Sequence, residues 1–267
     1  MIRKQAIPVV LTFSGNDPTG GAGIQADIES LAGTACHCAP VITALTVQNS
    51  EMVIHFEPTS PGLIIEQARA VLEDMPVRAI KIGMVGSAEN AECIHTILSD
   101  YPEIPVILDP VLAGGGGGEL STKETIEAIA TLLVPRSTLT TPNSEEVRLL
   151  APNADNLDAC AQELLDMGAE FVLITGTHEN TTTVDNRLYG QFRHLETFSW
   201  ERLPGSYHGS GCTLAATLAG LIAHGLDPFA AVHEAQEFTW ESLREGYRLG
   251  MGQAFPNRFY WARGEEE

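Results

Sequence analysis

Short apolar runs alternate with longer amphipathic stretches along most of the chain. The runs have the length of strands buried on both faces of a sheet. They predict six strands, at residues 8–13, 40–47, 77–82, 106–108, 139–141 and 171–175. The stretches between and after them predict helices at residues 21–34, 60–74, 87–99, 121–134, 155–167 and 228–246, a further helix that begins near 142–146, and one that ends near 224.

This alternation predicts an α/β fold with three layers, in which one doubly wound, mainly parallel sheet carries helices on both faces. Residues 181–200 differ, because their loose period of two predicts a small antiparallel hairpin at the edge. We expect one domain over residues 1–267, with 263–267 as a disordered tail. Side chains at the carboxyl ends of parallel strands meet in one crevice. Those at the ends of the predicted strands are Asp17, Gln48, Met84, Asp109 and Asn143.

The net charge of −20 excludes nucleic acid as a partner and means that a phosphate site must rely on local N–H groups or a cation. No apolar run is long enough for a membrane span. Five cysteines without framework spacing suit a reducing compartment, so we expect a cytoplasmic protein. The Cys36-His37-Cys38 cluster is poorly spaced for one tetrahedral zinc ion, which favours packing over metal binding.

The stretch with the clearest chemistry is His208-Gly209-Ser210-Gly211-Cys212, followed by an apolar helix. Glycines let the backbone approach a ligand closely, and the first turn of a helix binds phosphate or a developing oxyanion. The same field favours a thiolate at Cys212. The alternative is a helix start with a buried cysteine.

A second glycine-rich loop, residues 14–23, follows the first strand, where open α/β sheets bind ligands. It lacks both G-x-G-x-x-G and the Gly-Lys-Ser/Thr of a P-loop. Asp27, in the helix that follows, has a structural interpretation as a complement to the helix N-terminus.

Six stretches, taken together and in order, resemble the hydroxymethylpyrimidine/phosphomethylpyrimidine kinases of thiamine biosynthesis, within the ribokinase-like superfamily. They are residues 15–27, 41–44 with 48–49, 81–84, 109–111, 141–143 with 146, and 208–214. The resemblance implies a ribokinase-like fold, a homodimer, and transfer of phosphate from ATP to 4-amino-5-hydroxymethyl-2-methylpyrimidine and then to its monophosphate.

For the substrate, the resemblance implies a pyrimidine pocket lined by Gly15, Asp27, Gln48, Met84 and Val111. A carboxamide such as Gln48 can donate to and accept from an aminopyrimidine. Met84 and Val111 supply apolar faces for the ring. The alternative for Gln48 is a polar residue that faces water at a strand end.

For the nucleotide, the resemblance implies that Asn143 and Glu146 organise Mg²⁺, with Asp109 as a further ligand. One or two carboxylates suffice, because Mg²⁺ keeps several waters. Helix capping by Asn143 is an alternative that can hold at the same time. Cys212 stands where related sugar kinases have an aspartate base, so the resemblance implies that it accepts the hydroxyl proton while the N–H groups of residues 209–212 stabilise the transferred phosphoryl group.

The sequence departs from the family at four places. Thr175 occupies a nucleotide-binding position where a phosphate-binding lysine is usual. Either Arg187 or Arg202 replaces that cation, or Mg²⁺ neutralises more of the phosphate charge, or nucleotide affinity is reduced. Ser210 and Asn16 are mild changes. The glycine run 114–118 suggests a mobile flap. Two alternatives remain: a pyridoxal or pyridoxine kinase, and a catalytically silent pyrimidine-binding protein, which the missing lysine motivates.

Overall fold

The computed structural model describes residues 7–114 and 120–262. Within these ranges nine strands form one sheet. They are β1 (Val9–Asn16), β2 (His37–Gln48), β3 (Val53–Pro58), β4 (Val77–Ile82), β5 (Val106–Leu108), β6 (Leu139–Thr140), β7 (Phe171–Ile174), β8 (Thr183–Gly190) and β9 (Arg193–Glu201). Their order across the sheet is β3-β2-β1-β4-β5-β6-β7-β8-β9.

The six predicted strands are confirmed as β1, β2 and β4 to β7, and they run parallel to their neighbours among these six. The antiparallel hairpin predicted at 181–200 is confirmed as β8 and β9. The edge strand β3, antiparallel to β2, was not predicted. Its side chains are half-buried or exposed, so residues 53–58 lack the apolar run that marks an inner strand.

Helices flank the sheet on both sides, which confirms the predicted three-layer α/β/α fold. They are α1 (Gly23–Gly33), α2 (Pro61–Asp74), α3 (Ala88–Asp100), α4 (Lys123–Ala128), α5 (Ser144–Leu150), α6 (Leu157–Met167), α7 (Ser210–Ala223) and α8 (Pro228–Arg244). After α4 the chain continues as a short π-helix (Ile129–Leu133) and a short 3₁₀ helix (Val134–Arg136). No helix of the described residues has the length and apolar character of a membrane span.

Side chains cap the starts of α3 and α4. Ser87 accepts from Asn90 N (3.2 Å), and Thr122 accepts from Thr125 N (3.3 Å). Ser60 precedes α2 without a side-chain cap bond.

Alternate residues of the inner strands enter two separate cores, one on each face of the sheet. Val10 and Ile107 pack with α7 and α8 on one side, whereas Leu11 and Phe13 pack with α2, α3 and α6 on the other. Cys36 is buried, with its Sγ 3.5 Å from Gly220 O, which supports packing over metal binding. Burial on both faces fixes the strand ends, and with them the loops that form the site.

Candidate active site

A cavity of about 580 Å³ lies at the carboxyl ends of the parallel strands. Its wall combines the loops that follow β1, β4, β5, β6 and β7 with the turn after β2 and the start of α7. All the predicted site residues except Asp27 line it. They are Gly15, Gln48, Met84, Asp109, Val111, Asn143, Glu146, Thr175, Gly209, Ser210, Gly211 and Cys212.

The start of α7 presents backbone N–H groups to this cavity. Gly209 precedes the helix with φ +78° and no side-chain cap. The first bond of the helix runs from Thr213 N to Gly209 O (2.9 Å). The N–H groups of Ser210, Gly211 and Cys212 therefore have no partner within the helix, and a phosphate oxygen is a suitable acceptor for them. We call residues 209–212 the phosphate cradle.

Cys212 is half-buried and lines the cavity wall. Burial raises the pKa of its thiol to about 11, with Asp109 and Asp27 adding to the rise and Lys81 opposing it. The expectation that the helix start favours a thiolate is therefore wrong for the free protein. Desolvation outweighs the field of the first turn.

Asp17 connects the loop after β1 to the residue before the phosphate cradle. Its carboxylate accepts from His208 Nε2 (2.7 Å), Thr19 N (2.8 Å) and Ala22 N (2.9 Å). Burial acts to raise the pKa of Asp17, but the hydrogen bonds, that of His208 foremost, hold it below its usual range. Both residues were visible in the sequence, yet nothing there pairs two side chains that are 191 positions apart.

Asn143 and Glu146 form a capping box at the start of α5. Asn143 Oδ1 accepts from the N–H groups of Glu145 and Glu146 (2.9 Å each), and Glu146 Oε2 accepts from Asn143 N (2.9 Å). The capping interpretation of Asn143 is confirmed. The box also holds the Glu146 carboxylate against the cavity, where burial and the nearby Asp109 raise its pKa to about 8.

Asp109, at the end of β5, is the second carboxylate of this region. Burial raises its pKa to about 6, and its Oδ2 is buried without a hydrogen-bond partner. Two buried carboxylates and an unpartnered oxygen fit a small oxygen-seeking cation that retains water ligands. The described residues contain no group of three or more His, Cys, Asp or Glu that could hold a metal. Asp109 and Glu146 provide the one or two carboxylates that Mg²⁺ takes when water and phosphate oxygens supply its other ligands.

The family model described as phosphomethylpyrimidine kinase matches residues 17–257 of this chain. The hydroxymethylpyrimidine/phosphomethylpyrimidine kinase of Synechococcus elongatus is 36% identical over 96% of this chain and 98% of that protein. The chain belongs to the phosphomethylpyrimidine kinase family.

Solved structures agree with this fold. The crystal structure of phosphomethylpyrimidine kinase from Clostridium difficile is 31% identical, with a TM-score of 0.76 over 88% of this chain and 99% of that one. An ADP complex of Bacillus subtilis pyridoxal kinase is 25% identical, with a TM-score of 0.87 over 97% of this chain and 100% of that one. The ribokinase-like expectation is confirmed.

Neither arginine considered as a substitute for the family's lysine is free to act in its place. Thr175 lines the cavity, and its backbone bonds to Pro142 and Ser144. Arg187 pairs with Asp158 (3.7 Å) and does not line the cavity. Arg202 does line it, but its guanidinium donates to carbonyl groups of the loop after β7 and of the first residue of β8. Those acceptors are the O atoms of Thr177, Glu179, Thr181 and Thr183.

Asp27 stands apart from the other predicted site residues of this kinase. It is fully buried outside the cavity wall and pairs with Lys81 Nζ (2.9 Å), while Ser14 Oγ donates to it (2.6 Å). Burial acts to lower the pKa of Lys81, but Asp27 keeps it above its usual range. Neither the helix-end role nor a direct lining role of Asp27 fits this placement. The sequence did contain a signal, which we overlooked: Lys81 lies within the apolar run 77–82, and a lysine in a buried strand requires a buried acidic partner.

An apolar surface adjoins Gln48 on the side of the cavity formed by β1, β2 and β4. Met84 is buried and packs with Val111 and Leu120. A Cβ at Gly15 would lie 2.9 Å from Met84 Sδ, so any side chain there would displace the methionine. Gly15 and Met84 thus set the width of this part of the cavity.

The opposite end of the cavity, which sequence reasoning missed, carries two indole rings. Trp200 and Trp240 lie with ring centroids 6.2 Å apart, tilted by 30°. Gln236 Oε1 accepts from Trp200 Nε1 (3.1 Å) and Asn186 Nδ2 (2.8 Å), and Asn186 Oδ1 accepts from Gly176 N (3.0 Å). The polar atoms are satisfied by the protein, which leaves a mainly apolar surface for a ligand.

The glycine run and the tail lie at the limits of the described structure. Gly114 lines the cavity, but residues 115–118 lie outside the described residues, as does the tail 263–267. The flap and the disordered tail stay predictions.

Proposed function

We propose that this kinase transfers the γ-phosphoryl group of ATP to the hydroxymethyl oxygen of 4-amino-5-hydroxymethyl-2-methylpyrimidine, and then phosphorylates the monophosphate, in thiamine biosynthesis. The observation that carries the proposal is the phosphate cradle, with Cys212 on it, opening into the same cavity as Gln48, Met84 and Val111. A flat heteroaromatic alcohol and a phosphate tail can therefore meet there.

The pyrimidine end is proposed to lie on β1, β2 and β4. Met84 and Val111 supply the apolar contact, and Gly15 leaves room for the ring. The Gln48 carboxamide supplies both a donor and an acceptor for the amino group and ring nitrogen. Asp27 acts on this pocket indirectly, because its bond from Ser14 Oγ fixes the strand beside Gly15.

The transferred group is proposed to lie on the phosphate cradle, whose N–H groups stabilise its charge. Cys212 orients the hydroxyl group, and its thiolate form accepts the hydroxyl proton late in the transfer. Because the pKa of the thiol is about 11, only the small fraction of molecules that carry the thiolate at neutral pH can take this proton.

Mg²⁺ is proposed to bind between Asp109 and Glu146, partly through water. When bound, it would neutralise phosphate charge during the transfer. The chain supplies two raised-pKa carboxylates, which release protons as the cation binds. Asn143 holds Glu146 in place through the capping box.

The nucleotide is proposed to extend along the sheet edge from the phosphate cradle past Thr175. The sheet order places β7, β8 and β9 on the side away from the pyrimidine residues. Trp200 and Trp240 then offer ring faces to the nucleobase.

We also propose a homodimer in the cytoplasm. Leu45, Val47 and Ile54 are exposed apolar side chains on β2 and β3, and apolar side chains of this kind mark an interface when they are contiguous. The five cysteines are free, as a reducing compartment requires. Sedimentation of the wild type and of Val47→Glu tests the dimer, since the variant should sediment as a monomer.

An assay of ADP release with three acceptors tests the function. Hydroxymethylpyrimidine and its monophosphate should both be phosphorylated. Pyridoxal is the third acceptor, because the pyridoxal kinase fold overlaps nearly the whole chain, and it should give the lowest kcat/KM. Preference for pyridoxal would contradict the proposal, and binding without ADP release would identify a silent binding protein.

A further inference from the structure

The largest side chain that is fully buried in the described structure is a cation near the end of the chain. Arg258 is 2% exposed and lies in the segment that follows α8. A guanidinium stays charged in a protein, so its burial requires hydrogen-bond acceptors and a counter-charge. The acceptors of Arg258 lie around the phosphate cradle.

Three donor nitrogens of Arg258 join three parts of the site. Nε donates to Thr213 Oγ1 (2.9 Å) in the first turn of α7, and Nη2 donates to Gly21 O (2.5 Å) in the glycine-rich loop. Nη1 donates to Glu29 Oε2 (3.0 Å) on α1. Thr213 Oγ1 donates its own proton to Gly209 O (2.8 Å), so one hydroxyl group separates the guanidinium from the cradle backbone.

The guanidinium also lies directly behind Gly209. A Cβ built at Gly209 would be 2.9 Å from Arg258 Nη2 and 2.1 Å from Gly21 O. Arg258 therefore stands on the protein side of the cradle while the free N–H groups face the cavity. Its charge has the same sign as the N-terminal end of the α7 dipole, and the two fields add at a bound phosphate.

Two other cations near the site contribute less charge to the cradle. Arg202 is held by carbonyl groups and is partly exposed, so solvent screens its charge, and the charge of the buried Lys81 is matched by the fully buried Asp27. The carboxylate paired with Arg258 differs, because the side chain of Glu29 is 25% exposed and also accepts from Gln25 Nε2 (2.8 Å). Solvent weakens that counter-charge, whereas the charge of Arg258 stays in the interior.

We propose that Arg258 is a positioning residue for the phosphate cradle and that its buried charge compensates, from behind the cradle, for the phosphate-binding lysine missing at Thr175. The inference rests on the proposed function, because it assigns to Arg258 a supporting role at the proposed phosphate-binding site. It predicts that nucleotide affinity follows the charge balance between Arg258 and Glu29.

A purely structural clamp makes a different prediction, and the Glu29→Gln variant separates the two. Glutamine keeps the size of the side chain and an oxygen acceptor but removes the negative charge. If the charges of this pair act on the phosphates, ADP should bind more tightly. If they do not and Arg258 only holds three segments together, ADP binding should weaken or stay unchanged. Arg258→Lys assigns the effect to Arg258 itself, because lysine keeps the charge but not the three-way hydrogen bonding, so a pure clamp predicts that it binds ADP as weakly as Arg258→Met.

The experiment is calorimetric titration of Arg258→Met, Arg258→Lys and Glu29→Gln with ADP, with and without Mg²⁺. A unit charge about 10 Å away, at an effective dielectric constant of about 20 to 40, changes anion affinity by about 4- to 15-fold. We expect the ADP affinity of Arg258→Met to be lower than that of the wild type by this factor, and the ADP affinity of Arg258→Lys to lie between the two. Glu29→Gln should bind roughly two- to tenfold more tightly, since Glu29 is partly screened.

Arg69→Met is the matched control, because Arg69 on α2 pairs with the exposed Asp100 and should not affect ADP. KM for the pyrimidine should stay unchanged in all variants, while kcat falls in Arg258→Met. Unchanged or weaker ADP binding by Glu29→Gln overturns the inference, and this result does not require that Arg258→Met folds. ADP binding is measured without a phosphate acceptor. The inference about Arg258 can therefore fail while pyrimidine phosphorylation is observed, and pyrimidine phosphorylation can fail while the inference holds.

Discussion

Two glycines of the phosphate cradle differ in what a methyl group would meet, and this difference gives a matched pair of variants. At Gly209, φ is +78° and an added Cβ would lie 2.1 Å from Gly21 O. At Gly211 the nearest atoms are the Asp109 carboxylate oxygens at 3.8 Å, an ordinary contact. The backbone of Gly211 is helical, so alanine fits there.

The expected costs follow from these contacts. Gly209→Ala should lose about 1–2 kcal/mol of unfolding free energy from the left-handed backbone and about 1–3 kcal/mol from the clash with Gly21. Gly211→Ala should keep its stability or gain up to about 1 kcal/mol, because alanine favours a helix over glycine. Its methyl group, however, points into the space beside Asp109 that the phosphate needs. A misplacement of about 1 Å there can cost about 10²-fold in kcat.

Urea unfolding and steady-state kinetics on both variants test this reasoning. Gly209→Ala should lose stability and activity together. Gly211→Ala should remain as stable as wild type while kcat and ADP affinity fall. A stable and fully active Gly209→Ala protein would refute the close approach of Gly21 to the cradle. A fully active Gly211→Ala protein would refute the placement of the phosphate.

Three further perturbations are predicted. Cys212→Ala should lose about 10²–10⁴-fold in kcat, and a variant that keeps more than half of the turnover would exclude the proton-acceptor role. Lys81→Met should lower the free energy of unfolding by about 3–5 kcal/mol, measured by thermal unfolding, because Asp27 is left as an unpaired buried charge. Adding Asp27→Leu to the same chain should restore most of that stability. Glu146 binds more protons folded than unfolded between the ordinary glutamate pKa of 4.5 and its raised pKa of about 8. Unfolding free energy should therefore fall by up to about 1.4 kcal/mol per pH unit over that range without Mg²⁺. Saturating Mg²⁺ or Glu146→Gln should flatten the slope in urea titrations at pH 5 and 8, and an unchanged slope would contradict the raised pKa.

The sequence predicts best those strands that are buried on both faces of the sheet. The inner strands are buried on both faces and appear as apolar runs, such as residues 8–13. The edge strand β3 is not fully buried on either face. Its residues therefore show neither an apolar run nor a regular alternation of apolar and polar positions. Hydrophobic patterning reports burial, so it is weakest where a strand ends the sheet.

The site was predictable where one local segment supplies the chemistry. Residues 209–212 are contiguous, and the capping box needs only Asn143 and Glu146. Asp27 was misplaced because its partner Lys81 is 54 positions away. The thiol of Cys212 was misjudged for the same reason, since its pKa depends on burial by segments that no local pattern reveals.

The charge of the protein explains why such distant contacts matter here. A chain with net charge −20 repels a nucleotide at long range, but solvent ions screen that repulsion beyond about 10 Å. Close to the phosphate cradle the balance is local, and Lys81 and Arg258, the buried cations among the described residues, lie in the interior rather than in the solvent. Lys81 is matched by the buried Asp27, whereas Arg258 faces a partly solvated Glu29. Of these two charges, that of Arg258 is therefore the less fully compensated, and it lies behind Gly209, where the cradle has its free N–H groups.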